Sequence, residues 1–192
     1  MTLMPGLMER KKYTVQDYMT WNDGQRWELI GGEPYDMTPA PNINHQIIVG
    51  NFLRILSNDL LGKPCVPLVA PTDVVLSEYD VVQPDLLVVC DRTKITEKNI
   101  QGAPDLIIEV LSPATAKKDL WEKKNLYERY GVKEYILVDP EGRYAQRFRL
   151  GADGRFDRGE VFGPGETMTL HTLDNLKVPL WEVFGIAPPE NG

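Results

Sequence analysis

The chain has 192 residues, 42% of them hydrophobic and 26% charged, a composition that fits one globular domain with a full core. Its 21 Lys and Arg stand against 28 Asp and Glu, a formal charge of -7, and a field of that sign repels nucleic acid and anionic membranes unless a basic patch or a bound cation reverses it locally. No run approaches the roughly 20 apolar residues of a membrane span, and residues 1–10 lack the apolar core of a secretory signal, so a cytoplasmic protein with no membrane partner is expected.

Residues 1–12 read as a flexible start. Thr14 is placed to cap a short helix over 15–21, which Asn22-Asp23-Gly24 stops. Gly31-Gly32 between segments 27–30 and 33–37 signals a hairpin, on whose second strand Glu33 shares a face with Tyr35 and Met37. Ile48, Val49, Phe52, Ile55, Leu56 and Leu60 recur at the helical period and predict an amphipathic helix over 44–61. His45 falls in the middle of its apolar face. Strands are predicted over 65–70, 72–76 and 81–90, the last carrying Asp85, with a loop over 91–102. Cys65 and Cys90 lie in apolar, strand-like runs without ligand spacing and read as buried free thiols.

The most apolar short run comes next, at 104–112, between Gly102-Ala103 and Pro113. As a strand it sends Leu106, Ile108 and Val110 to one face and Ile107, Glu109 and Leu111 to the other. Glu109 is therefore buried or opens into a cavity, at a cost of several kcal/mol unless cations or donors compensate it. A basic linker then leads into a helix predicted over 119–130, stopped by Gly131. Strands over 134–139 and 144–150 follow, and 151–184 reads as a β-meander or hairpin closing one edge. The alternation of strands and helices points to a mixed α/β sheet in a single domain over 1–192, with 151–192 as a C-terminal β extension.

Asp85 and Glu109 are the two acids inside strongly apolar strands. Neighbouring strands would bring them together, and facing carboxylates require a raised pKa or a shared divalent cation; taken singly, each acid favours a structural reading, one as a loop cap and the other as the partner of a core Lys or Arg. On the helix over 119–130 the apolar stripe is Leu120, Leu126, Tyr127 and Tyr130. At about 100° per residue Lys123 falls in its middle and Lys124 on its flank. Lys123 either meets one of the buried acids or snorkels to solvent. Tyr127 lies on the same ridge, four residues on. Lys117, Lys118 and Lys124 add local positive charge, as a solvated face or as a contact for phosphates.

Several of these segments together resemble one family. Val82-Gln83-Pro84-Asp85, Ala103-Pro104-Asp105-Leu106-Ile107-Ile108-Glu109-Val110-Leu111-Ser112-Pro113, Asp119-Leu120-Trp121-Glu122-Lys123 with Tyr127, and Glu134-Tyr135-Ile136-Leu137-Val138-Asp139-Pro140 are similar to the bacterial family described as putative restriction endonucleases, of the PD-(D/E)xK nuclease superfamily. Trp27-Glu28-Leu29-Ile30-Gly31-Gly32-Glu33 and His45 resemble its N-terminal half.

The resemblance implies a restriction-endonuclease-like mixed sheet flanked by helices, Mg²⁺ or Mn²⁺ at Asp85 and Glu109, and hydrolysis of phosphodiesters in nucleic acid, with DNA the expected substrate. It also implies a supporting tier of Glu33, His45, Gln83 and Tyr127. His45 reads equally as a satisfied core histidine. The superfamily lysine belongs two residues after the acid, where this chain has Leu111; the wheel assigns the role to Lys123 instead. A two-fold dimer suits cleavage of both strands. The alternative is a module that keeps the fold and binds nucleic acid or a partner without cutting.

Overall fold

The computed structural model describes residues 11–37, 41–112 and 118–190, with backbone alone for 118–120. Helix α1 (Val15–Tyr18) begins at a capping box in which Thr14 and Asp17 satisfy each other's backbone N–H groups. A hairpin follows, β1 (Trp27–Ile30) and β2 (Glu33–Asp36), paired from Trp27↔Asp36 to Ile30↔Glu33. Its turn has positive φ at both Gly31 and Gly32, a conformation that only glycine adopts without strain. Helix α2 (Ile43–Asp59) starts at Asn42, whose side chain accepts the His45 N–H at 2.9 Å.

Four strands follow in sequence: β3 (Val66–Val69), β4 (Val74–Ser77), β5 (Asp80–Val82) and β6 (Leu86–Val89). The single strand expected over 81–90 is thus two, and they belong to different sheets. The break falls at Gln83-Pro84-Asp85, where Pro84 has no N–H to give a ladder. The expected loop over 91–102 contains the short strand β7 (Ile100–Gln101), and β8 (Leu106–Val110) follows.

The helix expected over 119–130 is also composite. Its first part, Lys118–Lys123, winds as a π-helix, and α3 (Lys124–Tyr130) continues in α geometry to a left-handed Gly131. Then come β9 (Glu134–Asp139), β10 (Tyr144–Arg149), β11 (Glu160–Phe162), β12 (Thr167–Leu170), β13 (Leu176–Pro179) and a last turn of helix, α4 (Leu180–Val183).

The strands form a six-stranded mixed sheet in the order β11-β10-β9-β8-β6-β3, a five-stranded sheet in the order β2-β1-β5-β4-β7, and the separate hairpin β12-β13. In the larger sheet only β8 and β9 run parallel, as expected where a helix makes the crossover between them. One face of this sheet packs Leu86, Val88, Leu106, Ile108 and Val110 against α2, β12-β13 and α4. The other packs Leu87, Val89, Ile107, Leu137 and Tyr135 against α3 and the smaller sheet. Covering both faces explains the unbroken apolar run of β8. Each such aliphatic side chain contributes about 1.5–3 kcal/mol of burial free energy.

Cys65 and Cys90 are joined in a disulfide, which corrects the reading of two free thiols. They flank the antiparallel pair β3-β6, whose register Val66↔Val89 sets Cys65 directly across from Cys90. A separation of 25 residues conceals that proximity in the sequence.

Candidate active site

The β6-β8 ladder creates the site. Its register, Leu86↔Ile108 and Leu87↔Ile107, continues to place Asp85 opposite Glu109 at the end of both strands. Asp85 N–H donates to Glu109 Oε2 at 3.2 Å, and Val110 N–H donates to Asp85 Oδ2 at 2.8 Å. Side-chain oxygens of the two acids thus accept the backbone N–H groups of Asp85 and Val110 where the regular pairing stops after Pro84. Glu109 is 2% exposed, while the Asp85 side chain keeps 20% of its surface open.

Three side chains gather around this pair. Lys123 Nζ lies 2.8 Å from Glu109 Oε1, and the residue is 1% exposed, so it does not snorkel. Tyr127 Oη donates to the same oxygen at 2.8 Å from one turn further along α3. Its ring meets Tyr135 edge-on at 5.1 Å between centroids, which fixes it in the core. His45 reaches Asp85 Oδ2 with Nε2 at 3.0 Å from the first turn of α2. Its Nδ1 is buried and has no hydrogen-bond partner among the described residues.

Sequence reasoning missed Glu28. This residue of β1 is fully buried and holds Lys123 Nζ at 2.8 Å, while its Oε1 also accepts the Gln83 N–H at 2.9 Å. The available signal was the one that singled out Glu109, an acid enclosed by Trp27, Leu29 and Ile30 in a strand. Glu33 is on the same hairpin face, two residues nearer the turn. That is about 7 Å along the strand. It lines an open pocket with Lys12, Tyr35, Glu122 and Arg129.

Gln83 supports the hairpin side. Its amide donates to Asp73 Oδ1 at 2.8 Å and accepts from Arg26 Nε at 3.0 Å. Asp73 Oδ1 also takes the Tyr18 hydroxyl at 2.8 Å. Burial, and then the Asp73 carboxylate, push the Tyr18 phenol well above its ordinary range, so it stays a donor.

Of the basic residues, Lys124 sets its ammonium over the Phe148 ring at 3.9 Å. Lys117 lies outside the described residues, as does the side chain of Lys118. Asp105 serves the scaffold: it accepts the Cys90 N–H at 2.7 Å and Lys133 Nζ at 2.6 Å. Leu111, at the position of the superfamily lysine, is half-buried against the α3 side of the sheet.

Glu28 and Glu109 share the Lys123 ammonium, and Asp85, bound by His45, faces Glu109 across the ladder, so three carboxyl groups and one lysine meet here. The donors facing each other are two carboxylates, hard oxygen ligands of the kind that Mg²⁺ and Mn²⁺ take. No group of three or more His, Cys, Asp or Glu fit to cage a metal occurs among the described residues.

Fold and site together define a restriction-endonuclease-like α/β protein whose acidic pair is joined by a lysine from a helix. The chain belongs to the Uma2 family, described as putative restriction endonucleases, which it matches over residues 15–180. It is 26% identical over 149 residues to an uncharacterized protein of Synechocystis sp., covering 74% of this chain and 77% of that one. Its fold is similar to the crystal structure of a protein from Anabaena variabilis titled a putative nuclease of DUF820. That likeness has a TM-score of 0.74 at 18% identity, over 90% of this chain and 97% of the other. Among the described residues, no helix is long and apolar enough to cross a membrane.

Proposed function

We propose that this protein is a divalent-metal-dependent endonuclease that hydrolyses phosphodiester bonds in DNA, with Asp85 and Glu109 holding Mg²⁺ or Mn²⁺ and Lys123 as the catalytic cation. The observation that carries the reading is the delivery of a buried ammonium from a helix to the carboxylate that faces Asp85 across the β6-β8 ladder. A structural ion pair has no need of the second, partly open acid.

When bound, the cation supplies a polarised phosphoryl oxygen and a water of lowered pKa. The chain's own residues do the rest. Glu109 is oriented by Tyr127 and by the Asp85 N–H, and Asp85 by His45 and the Val110 N–H, so both carboxylates are held before substrate arrives. Lys123, in a water-poor setting, offers a fixed positive charge to the developing pentavalent phosphate. A symmetric dimer would present two such sites to the two strands of a duplex.

The test is cleavage of supercoiled plasmid and of single-stranded DNA in Mg²⁺, in Mn²⁺ and in chelator, with the wild type beside Glu109→Ala and Lys123→Ala. Metal-dependent cleavage that both substitutions reduce by at least about 100-fold is expected. No cleavage of either substrate, with no Mn²⁺ binding by calorimetry, would favour the inactive module.

A further inference from the structure

The Lys123 ammonium is shared equally, at 2.8 Å from Glu109 Oε1 and 2.8 Å from Glu28 Oε1. The two carboxylates differ in what else surrounds them. Glu109 faces Asp85, so a divalent cation bound there competes with the ammonium for the same carboxylate and repels it. Glu28 belongs to the other sheet. Its Oε1 is pinned by the Gln83 N–H, and Gln83 is itself anchored through Arg26 and Asp73.

We propose that Glu28 is the second seat of the Lys123 ammonium, a positioning residue that keeps the lysine in the site when a divalent cation draws Glu109 away from it. This rests on Asp85 and Glu109 being the cation site. Without Glu28, Lys123 is committed to Glu109 and opposes the cation. With it, the lysine shifts its share of charge to a carboxylate that does not move. Glu28 thus acts on the cation only through Lys123.

The test is Mn²⁺ titration by calorimetry on the wild type, Glu28→Gln and the double variant Glu28→Gln/Lys123→Met. Coupling between neighbouring sites commonly amounts to several-fold to a hundredfold, so Glu28→Gln is expected to bind Mn²⁺ about tenfold more weakly than the wild type, and the double variant to return within about threefold of it. A purely structural Glu28 would lower the melting temperature and leave the Mn²⁺ affinity of the folded protein unchanged. A Glu28 that ligates the cation would leave the double variant as weak as the single one. Either result overturns the proposal. If Glu28→Gln does not fold, Glu28→Asp, which keeps the charge and draws it back from the Lys123 ammonium, takes its place: a loss of Mn²⁺ affinity that adding Lys123→Met reverses supports the second seat, and an unchanged affinity overturns it. A wild type that binds no Mn²⁺ would instead overturn the cation site itself, and the second seat with it.

Discussion

Asp85 and Glu109 face each other across antiparallel strands, and their side chains supply acceptors where the ladder is interrupted, Glu109 Oε2 to the Asp85 N–H and Asp85 Oδ2 to the Val110 N–H. The consequence is an acidic pair that cannot separate without breaking the end of the sheet, and a single buried ammonium that must balance it. Removing the ammonium therefore costs more than removing one of its acids. In chelator, Lys123→Met takes the shared ammonium from the buried Glu28 and Glu109 and should cost about 3–5 kcal/mol. Glu109→Gln leaves Lys123 its Glu28 partner and should cost only about 1 kcal/mol. For a chain of this size that is a fall in melting temperature of about 2–4 °C per kcal/mol. Thermal melts in chelator check the order, and equal losses would mean that Glu28 does not hold the lysine.

His45 reaches the substrate side only through Asp85. Its Nε2 holds Oδ2 of a carboxylate whose side chain keeps 20% of its surface open. Partners of this kind around a ligand typically tune affinity by roughly 10- to 100-fold, so His45→Asn should weaken Mn²⁺ binding by that order. Calorimetry beside a thermal melt separates this from simple unfolding. An unchanged affinity in a folded variant would make His45 a packing residue of α2.

The sequence made Asp85, Glu109 and Lys123 legible because each breaks a local pattern, an acid in an apolar strand or a lysine on an apolar stripe. Lys123 was assigned with an α-helical wheel although residues 118–123 form a π-helix. Lys123 is nonetheless buried on the face of Leu126 and Tyr127, because the residues that follow it keep α geometry, where the spacing of 3 and 4 residues still holds. Glu28 carries the same signal, an acid among apolar residues, but more weakly, since a four-residue hairpin strand is too short for alternation to reveal which face is covered. The division of 81–90 had a visible cause in Pro84. The disulfide had none, because it depends on β3 lying beside β6.

Glu128 ties the helix carrying Lys123 to the β10–β11 connection. Its carboxylate accepts the Phe156 N–H at 2.6 Å and Arg155 Nη1 at 3.0 Å, and the Phe156 bond above all holds its pKa below the ordinary glutamate value. A lowered folded pKa means stability that is complete above the unfolded value, near 4.5, and is lost as the pH falls through the folded one. Glu128→Gln should thus lower the melting temperature by about 3 °C at pH 7. The gap should close progressively below the unfolded value. A gap that persists unchanged at pH 3 would show that packing, and not the charge, accounts for it.

Cys65 and Cys90 stand at the far end of β6 from Asp85, five residues from it along the strand, which is about 17 Å of extended chain. Closing a loop of 25 residues restricts the unfolded chain by an amount worth about 3 kcal/mol in the chain-entropy account. Reduction should therefore lower the melting temperature by several degrees. It should leave Mn²⁺ affinity and DNA cleavage at 25 °C as they were, because both cysteines lie at the opposite end of the β3-β6 pair from the acids. Mass spectrometry before and after alkylation reports the state of the pair, and melts and cleavage assays on the same two samples report its effects. A loss of cleavage on reduction without any change in melting would connect the disulfide to the site through the β3-β6 ladder. Destabilisation alone would make it a clamp on the sheet edge.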